Sequence, residues 1–217
     1  MHRPRSIGSA KNGGFTLIEM LAVMLILAIL TVFLLPKLSG ASVATMVRAT
    51  DALITGIEGR IADYNTEHGD YPASTFPRDL DPKPSPTNMG AEMLVISLWG
   101  AKGAYQAFDA EDDLGNSDGD NTGTSLTSFP SADVFELKDA WDNPIAYIHS
   151  RDYDEVFQYR TIDADGFSVD GDVRARISSK TGGPMNRRSF QLISAGPDGL
   201  FGTEDDIGNF EMGDAAP

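Results

Sequence analysis

The sequence contains no cysteine, which excludes a disulfide framework, thiolate metal sites and thiol catalysis. A thin core without disulfides needs another staple. Histidine is nearly as scarce, with three in all, of which only His68 and His149 lie beyond the first residues. No Gly-x-Ser-x-Gly, Walker or His-Glu-x-x-His pattern occurs, so the constellations of common hydrolases, nucleotide-binding proteins and zinc proteases are missing. We therefore expect no enzyme. Positive charge is also in short supply: 17 Lys and Arg stand against 32 Asp and Glu, for a net charge of −15. That balance disfavours nucleic acid and anionic membrane surfaces as partners and suits a solvated exterior that attracts cations. The few bases are unevenly placed, because Arg3, Arg5 and Lys11 fall in the first fourteen residues, which hold no acid.

What is present begins with KNGGFTLIEMLAVMLILAILTVFLLP, Lys11 to Pro36. The apolar run from Phe15 to Leu35 is long enough for a bilayer core of about 30 Å. It exceeds the usual apolar region of a secretory signal peptide, and no small-x-small cleavage site follows it. A signal anchor with its basic end in the cytoplasm is the simplest reading. That reading leaves Glu19 unexplained, since a carboxylate in hydrocarbon is costly unless paired or functional. A backbone cut between Gly14 and Phe15 would supply a partner, a new α-amino group four residues from Glu19 on one helix face. Pairing with a neighbour's amine would set the axial register between packed helices, as buried polar groups do in coiled coils.

These residues resemble the type IV prepilin N-terminus shared by type IV pilins and type II secretion pseudopilins. The pattern is a short basic leader ending in Gly, then Phe-Thr-Leu-Ile-Glu, then an apolar helix with a proline about six turns in. The resemblance implies that a membrane prepilin peptidase cuts after Gly14 and methylates the Phe15 amine, and that Glu19 is the assembly carboxylate.

Beyond Pro36, Val43, Met46, Val47, Thr50, Leu53, Ile54, Ile57, Ile61 and Tyr64 fall at helical spacings of three or four, an amphipathic helical stripe. One helix from Phe15 to about Glu67 is expected, loosened at Pro36 and stopped by Gly69 and Pro72. The Gly-Asp-Tyr-Pro exit is similar to that of the major pseudopilin branch. A proline-rich loop over residues 73–88 follows, and Ala91 to Gly100 reads as a short buried helix. Asp109 to Ser125 is almost devoid of apolar residues and reads as a solvated surface excursion in preference to a cation site. Strands are expected over Ile145 to His149, Glu155 to Thr161 and Ser189 to Ala195, with a short extra one near Val173 to Ile177. Short turns between them imply an antiparallel sheet. Asp139, Trp141, Pro144 and Tyr147 or Ile148 resemble a pseudopilin stretch in which Trp141 anchors the core. The Asp/Gly cluster from Asp163 to Asp172 reads as a turn rather than a second ion site.

Ser194 to Ile207, SAGPDGLFGTEDDI, gathers Asp198, Glu204, Asp205 and Asp206 around three glycines. Hard cations such as calcium take six to eight oxygens from carboxylates, carbonyls and water, and glycines let carbonyls turn inward. The loop is no EF-hand, but it resembles the C-terminal calcium loop of the type II secretion major pseudopilin. The resemblance implies side-chain ligands from Asp198, Asp205 and Asp206, carbonyl ligands from Ala195 and Leu200, and a solvent-facing Glu204.

The combined expectation is an α+β, type IV pilin-like fold: a long N-terminal helix packed on a small antiparallel sheet with a C-terminal calcium loop. Its parts are a cleaved leader (1–14), a transmembrane and filament-core helix (15–35), an amphipathic continuation (36–68) and a periplasmic domain (69–217). The function implied is that of a type II secretion pseudopilus subunit, stored as a single-pass protein of the inner membrane with its leader in the cytoplasm. Its partners would be further copies of itself, minor pseudopilins, the prepilin peptidase and an inner-membrane assembly platform. A type IV pilin or minor pilin for adhesion, DNA uptake or motility is the alternative. A membrane-anchored calcium-binding module that never polymerises is the third reading.

Overall fold

The computed structural model describes residues 17–100, 113–211 and 215–216, with the side chains of 30–41 and 215–216 left aside. The backbone divides into two compact units, Met1–Ser42 and Val43–Pro217. Helix α1, Leu17–His68, runs through both. In the first unit its described side chains, Leu17 to Ile29, are exposed throughout. Among the described residues no helix is long and apolar enough to cross a membrane. The expected span over 15–35 lies partly outside the described side chains.

In the second unit α1 behaves as its spacing predicts. Thr50, Ile54, Ile57 and Ile61 recur every three or four residues and all are buried. The stripe does not begin at Val43, which is exposed. Gly69 ends the helix in the left-handed region, at φ 78°, with its N–H donating to the Asn65 carbonyl at 2.8 Å.

The remaining elements are α2 (Met89–Trp99), β1 (Leu114–Gly115), β2 (Glu136–Leu137), β3 (Ala146–His149), β4 (Phe157–Ile162), β5 (Ser168–Val173), β6 (Ile177–Ser178), β7 (Phe190–Ser194), β8 (Ile207–Gly208) and β9 (Ala215–Ala216). The architecture is α+β with small antiparallel sheets. The order is β3-β7-β8 in the three-stranded sheet, and β1-β2, β4-β5 and β6-β9 pair separately. The three main expected strands exist as β3, β4 and β7, but they do not form one sheet of sequence neighbours. The short strand expected near Val173 to Ile177 is instead the gap between β5, which ends at Val173, and β6, which starts at Ile177. β3 pairs with β7, placing Tyr147 opposite Leu192 and Ala146 opposite Ile193. β4 turns through Asp163–Phe167 into β5, so the Asp/Gly cluster is a turn that also supplies all of β5 except Val173.

β3 and β7 are buried along their whole lengths because both faces are covered. Alternate side chains serve different clusters, as the period of two requires. Tyr147 and Leu192 join Ile54, Ile57 and Ile61 of α1 and Leu94, Leu98 and Trp99 of α2. Ala146, Ile148 and Ile193 join Phe157, Tyr159 and Val173 of the β4-β5 hairpin. Trp141 is half-buried and belongs to neither cluster, contrary to expectation. Tyr147, Tyr159 and Trp99 fill the core in its place.

α2 approaches this sheet at a glycine. A methyl on Gly90 would lie 2.1 Å from the Tyr147 carbonyl oxygen. The buried Tyr159 hydroxyl accepts from the Ala91 N–H at 3.0 Å and the Tyr147 N–H at 3.1 Å, joining helix to strand. The excursion after α2 is also not as expected. Its described part is tied down: Leu114 and Thr122 are buried, and β1 pairs with β2. Residues 109–112 lie outside the described residues.

Candidate functional site

Two regions carry the residues singled out by sequence. At the N-terminus, Gly14 and Phe15 lie outside the described residues. Glu19 lies in the first turn of α1, exposed among exposed apolar neighbours.

At the C-terminal end, the loop after β7 is held by its own acids and glycines. Ser194 is buried; its hydroxyl donates to Asp139 Oδ2 at 2.5 Å and accepts from the Gly196 N–H at 3.1 Å. Asp139 Oδ1 also accepts from the N–H groups of Trp141 at 2.9 Å and Asn143 at 3.0 Å. The Asp139-to-Asn143 turn is thereby joined to the root of the loop. Gly196 and Gly199 have φ of 64° and 71° and allow two close approaches. A methyl on Gly196 would lie 2.1 Å from the Asp205 carbonyl oxygen, and one on Gly199 2.1 Å from that of Ile162. The two limbs of the loop therefore touch, and the loop lies on the end of β4. Thr161 of β4 donates its hydroxyl to the Gly199 carbonyl at 2.6 Å.

Within the loop, Asp198 Oδ1 accepts from the Leu200 N–H at 2.8 Å. Asp205 accepts from the Asp198 N–H at 3.1 Å and from the Thr203 hydroxyl at 2.5 Å. Asp206 is buried; its Oδ2 accepts from the Gly202 N–H at 3.0 Å and is paired with the Arg176 guanidinium. Asp206 Oδ1 and Arg176 Nε are both buried without a hydrogen-bond partner. Burial holds the Arg176 guanidinium below its usual range. Glu204 is exposed, Leu200 is exposed and Ala195 is fully buried.

The donors are all oxygens, as a hard cation requires. The orphaned Asp206 oxygen fits such an ion. The Arg176 contact, however, already neutralises part of the loop's charge, and nothing local in the sequence pointed to it. Among the described residues, the three acids Asp198, Asp205 and Asp206 do not form a group whose ligand oxygens all lie within 4.8 Å. A different set, Glu92, Asp118 and Glu136, does. The sequence signal for Glu92 was an acid inside an otherwise apolar helix, the same signal that marked Glu19.

Residues 9–35 match the family described as the prokaryotic N-terminal methylation motif. The chain therefore carries a type IV prepilin-like N-terminus, which implies processing by a prepilin peptidase and pilus-like assembly. No curated protein and no solved structure matches the chain.

Proposed function

We propose that the chain is a structural, non-enzymatic subunit of a type II secretion pseudopilus that polymerises through its N-terminal helix to drive proteins across the outer membrane. The observation that carries the reading is the methylation motif over residues 9–35, which spans Glu19. Leu17, Ile18, Leu21 and Met24 are among the exposed apolar side chains that follow the cleavage point. An apolar surface of this kind serves storage in lipid and packing in a filament core alike, exchanging lipid contacts for helix contacts. The filament is heterologous and open-ended, with Glu19 of one copy meeting the Phe15 amine of another.

The absence of cysteine and the Gly/Asp loop at the C-terminus favour the secretion branch over a surface pilus. In this reading calcium draws together the carboxylates of Asp198, Asp205 and Asp206, whose ligand oxygens do not all lie within 4.8 Å of one another as they stand, and the carbonyls of Ala195 and Leu200 complete its shell. A bound ion would offset the mutual repulsion of these acids and stabilise the folded domain by mass action.

The test is deletion of the gene and complementation. Loss of protein release across the outer membrane, restored by the wild type and not by Glu19→Ala, supports the proposal. Intact secretion with loss of surface filaments assigns the subunit to a type IV pilus instead.

A further inference from the structure

A second carboxylate cluster lies apart from the C-terminal loop. Glu92 is on α2, Glu136 is on β2, and Asp118 and Asp120 belong to the turn after β1. Glu92 has no solvent exposure, and neither of its carboxylate oxygens has a hydrogen-bond partner. Asp118 Oδ2 and Asp120 Oδ1 are likewise buried and unpartnered. One oxygen each from Glu92, Asp118 and Glu136 lies within 4.8 Å of the other two.

The remaining oxygens are held in place by donors. Glu136 Oε1 accepts from Asn88 Nδ2 at 2.5 Å, from the Ser117 hydroxyl at 3.2 Å and weakly from the Ser117 N–H at 3.4 Å. Its Oε2 accepts from the same N–H at 3.2 Å. Asp118 Oδ1 accepts from the Asp120 N–H at 3.3 Å. Asp120 Oδ2 accepts from the Ser85 N–H at 2.8 Å. Asn88 is itself fixed, because its Oδ1 accepts from the Arg160 N–H at 2.9 Å.

Such an arrangement is unfavourable as it stands. A buried acceptor without a donor costs its full desolvation, and like charges at this range repel. Burial, then Asp120, Glu136 and Asp118, push the Glu92 carboxyl up to about 10. Among the described residues, the charges acting on it are all acidic. Burial likewise raises Glu136 to about 7 and Asp120 to about 6. Protonation relieves the repulsion, but a single added O–H donor does not satisfy the four unpartnered oxygens of Glu92, Asp118 and Asp120. A cation does both. Two oxygens bound to one calcium ion at about 2.4 Å can be at most about 4.8 Å apart, and the three carboxylates meet that limit. An all-oxygen site with three or four carboxylates suits calcium. Zinc favours nitrogen and sulfur ligands, and magnesium keeps several waters.

We propose that Glu92, Asp118 and Glu136 bind a calcium ion, with Asp120 completing the acidic shell. The ion joins α2, the turn after β1 and β2, elements far apart in the chain, and so acts as the cross-link that a cysteine-free domain lacks. This proposal does not depend on which filament the subunit builds.

The experiment uses the full-length protein in detergent, stripped with a chelator and titrated with calcium. Bound calcium per chain and thermal midpoint are measured for the wild type, Asp118→Asn, Glu92→Gln and Asp198→Asn. Asp118→Asn and Glu92→Gln are each expected to bind one calcium fewer than the wild type and to lose part of its calcium-dependent rise in midpoint. Asp198→Asn is expected to retain this ion. Asp118 is only half-buried, so its variant reports on the site even where Glu92→Gln does not fold. Equal calcium counts in the wild type, Asp118→Asn and Glu92→Gln overturn the proposal. A wild type that binds no calcium, or one whose only ion is lost in Asp198→Asn and kept in Asp118→Asn, overturns it as well.

Discussion

Arg176 and Asp206 form an ion pair buried from solvent, linking the segment between β5 and β6 to the C-terminal acidic loop. Removing one partner leaves the other charged and desolvated. Breaking such a pair from one side costs about 3–5 kcal/mol. Asp206→Ala and Arg176→Ala should each lower stability by that order in urea unfolding followed by tryptophan fluorescence. Replacing both by leucine should cost much less than the sum of the two single losses, because neither charge is left alone. Additive losses would show that the pair is not coupled.

The origin of this pair explains what was legible in the sequence and what was not. Ile54, Ile57 and Ile61 declare their helix face by spacing alone, and that face is where the core lies. α2 was equally readable as a buried apolar helix. Its one acid, Glu92, carries the same signal as Glu19, an unexplained carboxylate in an apolar run. The partners of β3 were not readable. Ala146 to His149 pairs with Phe190 to Ser194, more than forty residues away, and local alternation reports a strand but not its neighbour. Side-chain bridges were hidden for the same reason. Asn143 donates to the Ile162 carbonyl at 3.0 Å and accepts from the Ile162 N–H at 2.7 Å, completing a ladder that no motif announces. The acidic loop announces itself by its acids and glycines, but its Arg176 partner lies thirty residues upstream of Asp206.

Two glycines of the second unit should respond to alanine with opposite signs. Gly90 sits where α2 touches β3, and an added methyl would lie 2.1 Å from the Tyr147 carbonyl and 2.7 Å from the Tyr159 hydroxyl. Backbone must move, so Gly90→Ala should destabilise by about 1–3 kcal/mol or more. Gly59 lies on the exposed side of α1 with nothing within 4 Å of an added methyl. Gly59→Ala should stabilise by about 0.4–1 kcal/mol, since the unfolded chain loses freedom and the helix gains a better former. Urea midpoints of the two variants check the contrast.

The carboxylate cluster around Glu92 gives the calcium-free protein an unusual pH dependence. Glu92, Glu136 and Asp120 all titrate higher in the folded protein than in the unfolded chain, at about 10, about 7 and about 6. Between the ordinary carboxylate range and these values the folded state binds more protons than the unfolded one. Stability therefore falls as pH rises through this window. The carboxylates with lowered values, Asp70, Asp133 and Asp170, are exposed and act in the opposite direction only at more acid pH. His149, lowered by burial, opposes the fall only below its ordinary value of 6.5, one group against three. In chelator, the urea midpoint should be higher at about pH 5 than at about pH 9. Calcium should raise the alkaline midpoint more than the acid one, because the ion needs ionised ligands. A midpoint in chelator that rises with pH contradicts this account.

Processing and assembly can be separated by a pair of substitutions at the methylation motif. The match over residues 9–35 implies processing by a prepilin peptidase; on the proposed reading the mature chain starts at Phe15 with a methylated amine. Mass spectrometry of the N-terminal peptide from membranes should find that form, and a chain still beginning at Met1 counts against cleavage. Gly14→Arg should keep the leader attached, so that Glu19 is present but no Phe15 amine exists. Glu19→Ala should be cut normally, so that the amine is present but its partner is gone. If the two groups meet between neighbouring copies, neither variant assembles, and cross-linking of isolated filaments finds both deficient for opposite reasons. Filaments from Glu19→Ala that cross-link as well as the wild type would show that the carboxylate does not set the stagger. Its presence in the apolar run would then need another cause.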